Sequence, residues 1–180
     1  PARHRRRAPG ATMIDALRRH PGPLLALAFI VLQLLDVTSY PLFLYDEALL
    51  NEAGWQLISD GRFRSDIRSL HEGFETRYLW QPPALALSAA LSYALFGLGI
   101  VQTRLPGILF GGLAIWALFQ LVVEVSGRRG TALIAAALLF FWPPFVVTAK
   151  ISRMDTGAIL MLLIATIGVV RSEEHTSELQ

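Results

Sequence analysis

Two short acidic segments hold the side chains that are best suited to chemistry. Asp46 and Glu47 follow the first long apolar stretch of the chain, and Arg153-Met154-Asp155 follows the third. Carboxylates move protons in many enzymes, so two of them at one membrane face would be useful to a catalyst. Cations beside them, here Arg153 and Lys150, can hold a lipid phosphate. The two segments form a candidate site if the fold brings them to the same side of a membrane.

Each segment also has a purely structural interpretation. Acidic residues at the start of a helix, such as Asp46 and Glu47, gain from the helix dipole and often serve only as caps. Lys150, Arg153 and Asp155 could likewise cap helix ends and pair with one another. From the residues alone, both interpretations stay open.

The composition is that of a membrane protein. Of 180 residues, 53% are hydrophobic and the mean hydropathy is +0.47. Only 17% are charged, against about 25% in a typical soluble domain. The absence of cysteine excludes disulfides and thiolate metal sites. The basic residues form short clusters without interleaved aromatic residues, so nothing indicates a nucleic-acid partner.

Four apolar segments predict membrane-spanning helices, because about 20 mostly apolar residues cross a bilayer. The chain is therefore expected to be an all-α, polytopic membrane helix bundle. The fourth segment, 157–170, begins like the others but is shorter, so we interpret it as a truncated spanning helix. The predicted spans are 24–45, 105–125, 131–149 and 157–170.

Charge predicts the orientation of these spans. The N-terminal segment 1–23 is rich in arginine, and the turn 126–130 contains Arg128 and Arg129. Under the positive-inside rule both should be cytoplasmic. The connections 46–104 and 150–156 are then external. The chain is predicted to be a multi-pass inner (plasma) membrane protein, with its N-terminus in the cytoplasm and its site on the external, periplasmic face.

The apolar segment 82–97 is too short to cross the bilayer unaided. If it did cross, Arg128-Arg129 would be external and Asp155 would face the cytoplasm. We therefore predict an interfacial helix over 82–97.

Residues 46–60 show helical spacing of apolar positions, which predicts an amphipathic helix that ends at Gly61.

The cofactor is left open, with a divalent metal as one option. His71, Glu72 and Glu75 could present a metal site in the external loop, but they have no fixed spacing motif, and a solvated loop is the simpler interpretation.

At the C-terminus, residues 171–180 match an in-frame translation of a common sequencing adapter. We expect these ten residues to be an artefact and the chain to be the N-terminal part of a longer protein, with Met13 as a plausible true start.

The order of four motifs resembles the C-type (GT-C fold) membrane glycosyltransferases. It is similar to the branch of protein O-mannosyltransferases and lipid A aminoarabinose transferases. The resemblance covers residues 24–170. The motifs are Tyr45-Asp46-Glu47-Ala48 with its amphipathic helix, Gln81-Pro82-Pro83, Phe96-Gly97 with Arg104-Leu105-Pro106, and Arg153-Met154-Asp155.

The resemblance implies transfer of a sugar from a polyprenyl-phosphate carrier to a protein or glycolipid acceptor outside the cytoplasm, with inversion. Asp46 would be the general base, with Asp155 and Glu47 as further catalytic candidates. Growing charge on the lipid phosphate calls for cations or oriented donors. The candidates for substrate binding are Arg153, Lys150, Gln81 and Arg77. Gln81 departs from members that have lysine before the proline, so it brings no charge to the phosphate.

Two other functions are compatible with the same residues. In a transporter or flippase fragment, Asp36 and the prolines of the third span would belong to a substrate path within the membrane. In a non-catalytic membrane subunit, neither Asp36 nor Asp46 would matter for activity.

Overall fold

In the computed structural model, residues 20–67, 73, 76 and 82–178 are described. Arg77, Gln81 and the loop residues 71, 72 and 75, which the sequence offers as a weak option for a metal site, lie outside them. The described residues form seven α-helices and no strand, which confirms the all-α class. The helices are α1 Pro21–Leu34, α2 Tyr45–Ser59, α3 Ala84–Phe96, α4 Ile100–Ser126, α5 Arg129–Phe141, α6 Pro143–Lys150 and α7 Met154–Glu178.

Two of the described helices are long and apolar enough to cross a membrane. They are α4 and the part of α7 between Met154 and Glu173. A third crossing exists if α5 and α6 together count as one span. The shorter apolar helices α1 and α3 accompany them. The lengths of α4 and α7 and the apolar composition of α1, α3 and the α5–α6 pair are those of a membrane helix bundle.

Helix α4 is the centre of the bundle and contacts α1, α3, α5, α6 and α7. Its Ile115 and Phe119 are buried in the main apolar core, together with Phe29 of α1, Phe140 of α5 and Phe145 of α6. The rings of Phe29 and Phe140 meet edge to face with centroids 5.6 Å apart. The core therefore lies along α4, and α4 sets the position of the other helices.

The helices give the bundle two distinct ends. At one end, α1 finishes, α2 and α7 begin, and Lys150 of α6 contacts Leu35. We call this the site end. At the opposite end, the start of α1 packs on α4, with Gly22 close to Phe119. The α4–α5 turn with Arg128 lies at this far end as well. The arginine turn is thus separated from the acidic segments by the length of α4.

Helix α1 ends at Leu34, although the apolar pattern predicted a span over 24–45. Leu35 is extended, and Asp36 takes a left-handed conformation with φ 54°. Polar side chains such as those of Asp36 and Ser39 compete for backbone hydrogen bonds, and Pro41 lacks the N–H that a helix needs. The chain therefore turns over residues 35–41 before α2 begins.

The third predicted span, 131–149, is broken at Trp142. Pro143 and Pro144 have no N–H to donate to the carbonyl groups of the preceding turn, so the helix cannot continue through them. Helix α5 ends at Phe141, α6 begins at Pro143, and their axes are bent by 62°. Helix α7, by contrast, is longer than the predicted segment 157–170 and runs without a break to Glu178.

Helices α2 and α3 pack together through small residues. A Cβ atom on Gly54 would lie 2.3 Å from the carbonyl oxygen of Ala86, so only glycine permits this approach. Ala53 and Ala89 are fully buried nearby. The loop after α2 folds back on it, since the Glu52 carboxylate accepts the Asp66 N–H at 2.8 Å. The first acidic segment therefore begins a well-packed helix.

Candidate active site: two acidic segments joined by Arg153

Arg153 lies between Asp46 and Asp155, the two carboxylates that the sequence singles out as catalytic candidates. Its Nε donates a hydrogen bond to Oδ2 of Asp155 at 3.1 Å, and its Nη1 is 3.9 Å from Oδ2 of Asp46. All three side chains are about half exposed. The structure thus brings Asp46, Arg153 and Asp155 together at the site end.

These exposed ion pairs are too weak to build the site by themselves. An exposed salt bridge contributes roughly 0–1 kcal/mol. Asp46 is in the first turn of α2, and Asp155 is in the first turn of α7. Their proximity must therefore come from the packing of these helices against the rest of the bundle.

Glu47 is buried, unlike its neighbour Asp46. Its side chain has no exposed surface, and its two oxygens accept hydrogen bonds of 2.7 Å from Nε and Nη2 of Arg104. Oε1 also accepts the backbone N–H of Leu44 at 3.1 Å, which caps the start of α2. Glu47 thus fastens α2 to α4 and is not accessible to a substrate.

Arg104 connects three parts of the site end. In addition to Glu47, it donates to the carbonyl oxygen of Val37 at 2.6 Å and to that of Pro41 at 2.9 Å. Its side chain is fully buried. A buried charge is tolerated only when it is paired and hydrogen-bonded, and here both conditions are met. Arg104 therefore holds the 35–41 turn and α2 in place, and with them Asp46.

The second acidic segment is fastened one helical turn further along α4. A Cβ atom on Gly107 would lie 2.7 Å from the carbonyl oxygen of Ala149 and 2.9 Å from Cα of Ser152. Ser152 is buried and has a positive φ of 50°. Because Gly107 and Arg104 are three residues apart, they share one face of α4. One face of α4 thus positions both acidic segments.

The role of Arg104 was not predicted from the sequence, where it served only as a motif residue at the start of a span. A signal was present, because Arg104 is the single charged residue in α4 before Glu124. A charged residue inside an apolar helix usually faces the protein interior and has a partner there.

Lys150 lies in a different cavity from Arg153. Its Nζ donates to the carbonyl oxygen of Leu35 at 2.8 Å, and it lines a cavity of about 450 Å³ with Gln33 and Tyr40. Arg153 and Asp155 line an open groove of about 730 Å³. Both spaces share Pro143 and Val147 of α6, so this helix separates them.

Within the described residues, no group of three or more histidine, cysteine, aspartate or glutamate side chains could hold a metal ion. Asp46 and Asp155 both face Arg153. Two exposed carboxylates beside a guanidinium group are suited to accepting a proton close to a bound anion.

The fold and site define a helical membrane protein with a pair of carboxylates and an arginine at one end of its bundle. A family model described as dolichyl-phosphate-mannose-protein mannosyltransferase matches residues 80–179, which is more than half of the chain. The chain belongs to this family. The match includes α3, Arg104 and the second acidic segment, and begins after Asp46. No curated protein and no solved structure matches the chain.

Family membership confirms the resemblance to GT-C membrane glycosyltransferases. It indicates a membrane glycosyltransferase of the mannosyltransferase type.

Proposed function

We propose that the protein transfers a sugar from a polyprenyl-phosphate carrier to a hydroxyl group of a protein or glycolipid acceptor, outside the cytoplasm. The observation that carries this proposal is the position of Arg153, bonded to Asp155 and 3.9 Å from Asp46 in a member of this family. A base and a phosphate-binding cation are the two groups that such a transfer requires.

The reaction is a single displacement. Asp46 accepts the proton of the acceptor hydroxyl group while the hydroxyl oxygen attacks the anomeric carbon. The bond from that carbon to the phosphate oxygen breaks, and polyprenyl phosphate leaves with the electron pair. Arg153 neutralises the charge that grows on the phosphate. Attack opposite the leaving group inverts the anomeric configuration.

The other candidate residues have supporting roles in this proposal. Asp155 orients Arg153 through their hydrogen bond or contacts the sugar. Glu47 is a positioning residue, because it is buried against Arg104. Lys150 fastens α6 to the end of α1. Gln81 and Arg77, outside the described residues, remain candidates for phosphate binding.

The proposed orientation places the site end outside the cytoplasm. The α4–α5 turn with Arg128 and Arg129 lies at the far end of the bundle, and positively charged turns favour the cytoplasmic side. A multi-pass inner membrane protein with a cytoplasmic N-terminus follows. Asp36, which a transporter would use within the membrane, is exposed in the turn beyond α1, so this feature does not favour transport.

A donor assay tests the proposal. Full-length protein in proteoliposomes is supplied with mannose linked either to polyprenyl phosphate or to a nucleoside diphosphate. NMR then reports the anomeric configuration of the product. We expect transfer only from the lipid-linked donor, with the configuration inverted. Use of the nucleotide donor, or retention of configuration, would contradict the proposal.

A further inference from the structure

Helix α6 is a short helix that the break at Trp142 separates from α5. It has eight residues, and its axis is bent by 62° from that of α5, so α5 does not fix its position. Apolar contacts hold it in the bundle. The rings of Phe145 and Phe29 have centroids 5.6 Å apart, and Ala149 packs against Gly111 of α4. Because apolar contacts are non-directional, they keep α6 in the bundle without specifying its rotation closely.

Two polar side chains join one face of α6 to the end of α1. Gln33 donates from Nε2 to the carbonyl oxygen of Val146 at 3.0 Å. Lys150 donates from Nζ to the carbonyl oxygen of Leu35 at 2.8 Å. Val146 and Lys150 are four residues apart, so they lie on the same face of α6. We call these two hydrogen bonds the α1–α6 clasp. Because hydrogen bonds have a preferred direction, the clasp can fix the rotation that apolar contacts leave open.

Gln33 is an uncommon residue for its position. It is the only polar side chain in α1, and it is buried, with 5% of its surface exposed. A polar side chain inside an apolar helix is costly unless it has a partner. Hydrogen bonds between membrane helices nevertheless add little stability on average. Stability alone therefore gives little reason for a glutamine at this position, and a fixed geometry gives a better one.

The rotation of α6 is passed on to Arg153 through a few residues of backbone. The N–H of Ile151 donates to the carbonyl oxygen of Val147 at 3.0 Å. The N–H of Arg153 donates to the carbonyl oxygen of Thr148 at 3.3 Å. The segment after α6 is thus hydrogen-bonded to the last turn of that helix, and Arg153 moves when the helix rotates.

We infer that Gln33 is a positioning residue: through the α1–α6 clasp it fixes the rotation of α6, and with it the place of Arg153 relative to Asp46. This inference rests on the proposed function, since it concerns the cation and the base of the same site. Asp46 belongs to α2, so a rotation of α6 alters the 3.9 Å between Nη1 of Arg153 and Oδ2 of Asp46. A misplacement of about 1 Å can lower an enzymatic rate by about 10²-fold.

Gln33→Met in the full-length protein tests this role, because methionine has a similar length but no hydrogen-bond donor. We expect kcat/KM for the lipid-linked donor to fall by about 10- to 100-fold. The unfolding temperature in detergent should stay close to that of the wild type, since the apolar contacts of α6 are kept. Leu27→Met is the matched control. It places the same side chain on α1 at an exposed position and should behave like the wild type.

A double-mutant cycle with Arg153→Ala shows whether Gln33 acts through Arg153. If it does, Gln33→Met should lower kcat/KM no further once the guanidinium group is absent. A purely structural role would instead reduce the fraction of folded protein, so the two losses would multiply. Multiplied losses, or a clearly lower unfolding temperature for Gln33→Met, would overturn the inference.

A distance measurement makes the test independent of activity. The chain contains no cysteine, so spin labels at Leu42→Cys and Met154→Cys report the distance between the two acidic segments; both positions are exposed. Gln33→Met should shift or broaden this distance, and Leu27→Met should not. An unchanged distance in Gln33→Met would overturn the positioning role. A changed distance in a protein whose wild type transfers no sugar would instead leave the clasp in place and remove the proposed function.

Discussion

Asp46→Asn is expected to lower kcat by about 10²–10⁴-fold with a lipid-linked sugar donor, which is the usual contribution of a general base. Asparagine keeps the size of the side chain and its place in the first turn of α2, but it cannot accept the proton. Because Arg153 remains bound to Asp155, we expect little change in the KM for the donor. Steady-state kinetics of the full-length protein separate the two parameters.

Asp60→Asn is the matched control for this substitution. Asp60 lies at the other end of the same helix and pairs with Arg64 at 2.9 Å. Its replacement removes an equal charge from an exposed position at the opposite end of α2, away from the site. Wild-type turnover by Asp46→Asn, or an equal loss in both variants, would end the assignment of Asp46 as the base.

Arg104→Met is expected to lower the free energy of unfolding by about 3–5 kcal/mol, because it leaves the buried charge of Glu47 without its counter-ion. The carbonyl groups of Val37 and Pro41 lose their donor as well. Thermal unfolding in detergent measures the effect. Activity should fall too, since the turn and the helix that position Asp46 are released.

Two further variants distinguish the ion pair from simple packing. Arg104→Met combined with Glu47→Leu removes both charges, so the double variant should be more stable than Arg104→Met alone. Arg104→Lys keeps the charge but not the planar fork that makes four hydrogen bonds, so we expect an intermediate loss. A wild-type unfolding temperature for Arg104→Met would contradict the positioning role.

Much of the helical framework could be predicted from the sequence, because apolar runs and helical spacing reflect local physics. The amphipathic helix before Gly61 was expected over 46–60, and the structure has α2 over Tyr45–Ser59. The end of α1 was not predicted. Apolar residues continue past Leu34 to Leu44, and hydropathy does not register the competition of Asp36 and its polar neighbours for backbone hydrogen bonds.

The different roles of the adjacent residues Asp46 and Glu47 could not be predicted from the sequence either. Successive side chains on a helix point about 100° apart, so only one of Asp46 and Glu47 can face the core. Which of them does so depends on how α2 rotates against α4, and Arg104 decides that through a contact distant in sequence. The sequence predicts that Asp46 and the second acidic segment share one side of the membrane, which stays a prediction; the structure itself places both carboxylates beside Arg153.

Cysteine labelling tests most directly whether the two acidic segments share one side of the membrane. The chain contains no cysteine, so single substitutions report unambiguously. Leu42→Cys and Met154→Cys report on the two segments, and Ser126→Cys reports on the arginine turn; all three positions are exposed. A membrane-impermeant maleimide should label the first two only from outside the cytoplasm and the third only from within it. Labelling of positions 42 and 154 from opposite sides would contradict the shared site on which the sugar-transfer mechanism depends.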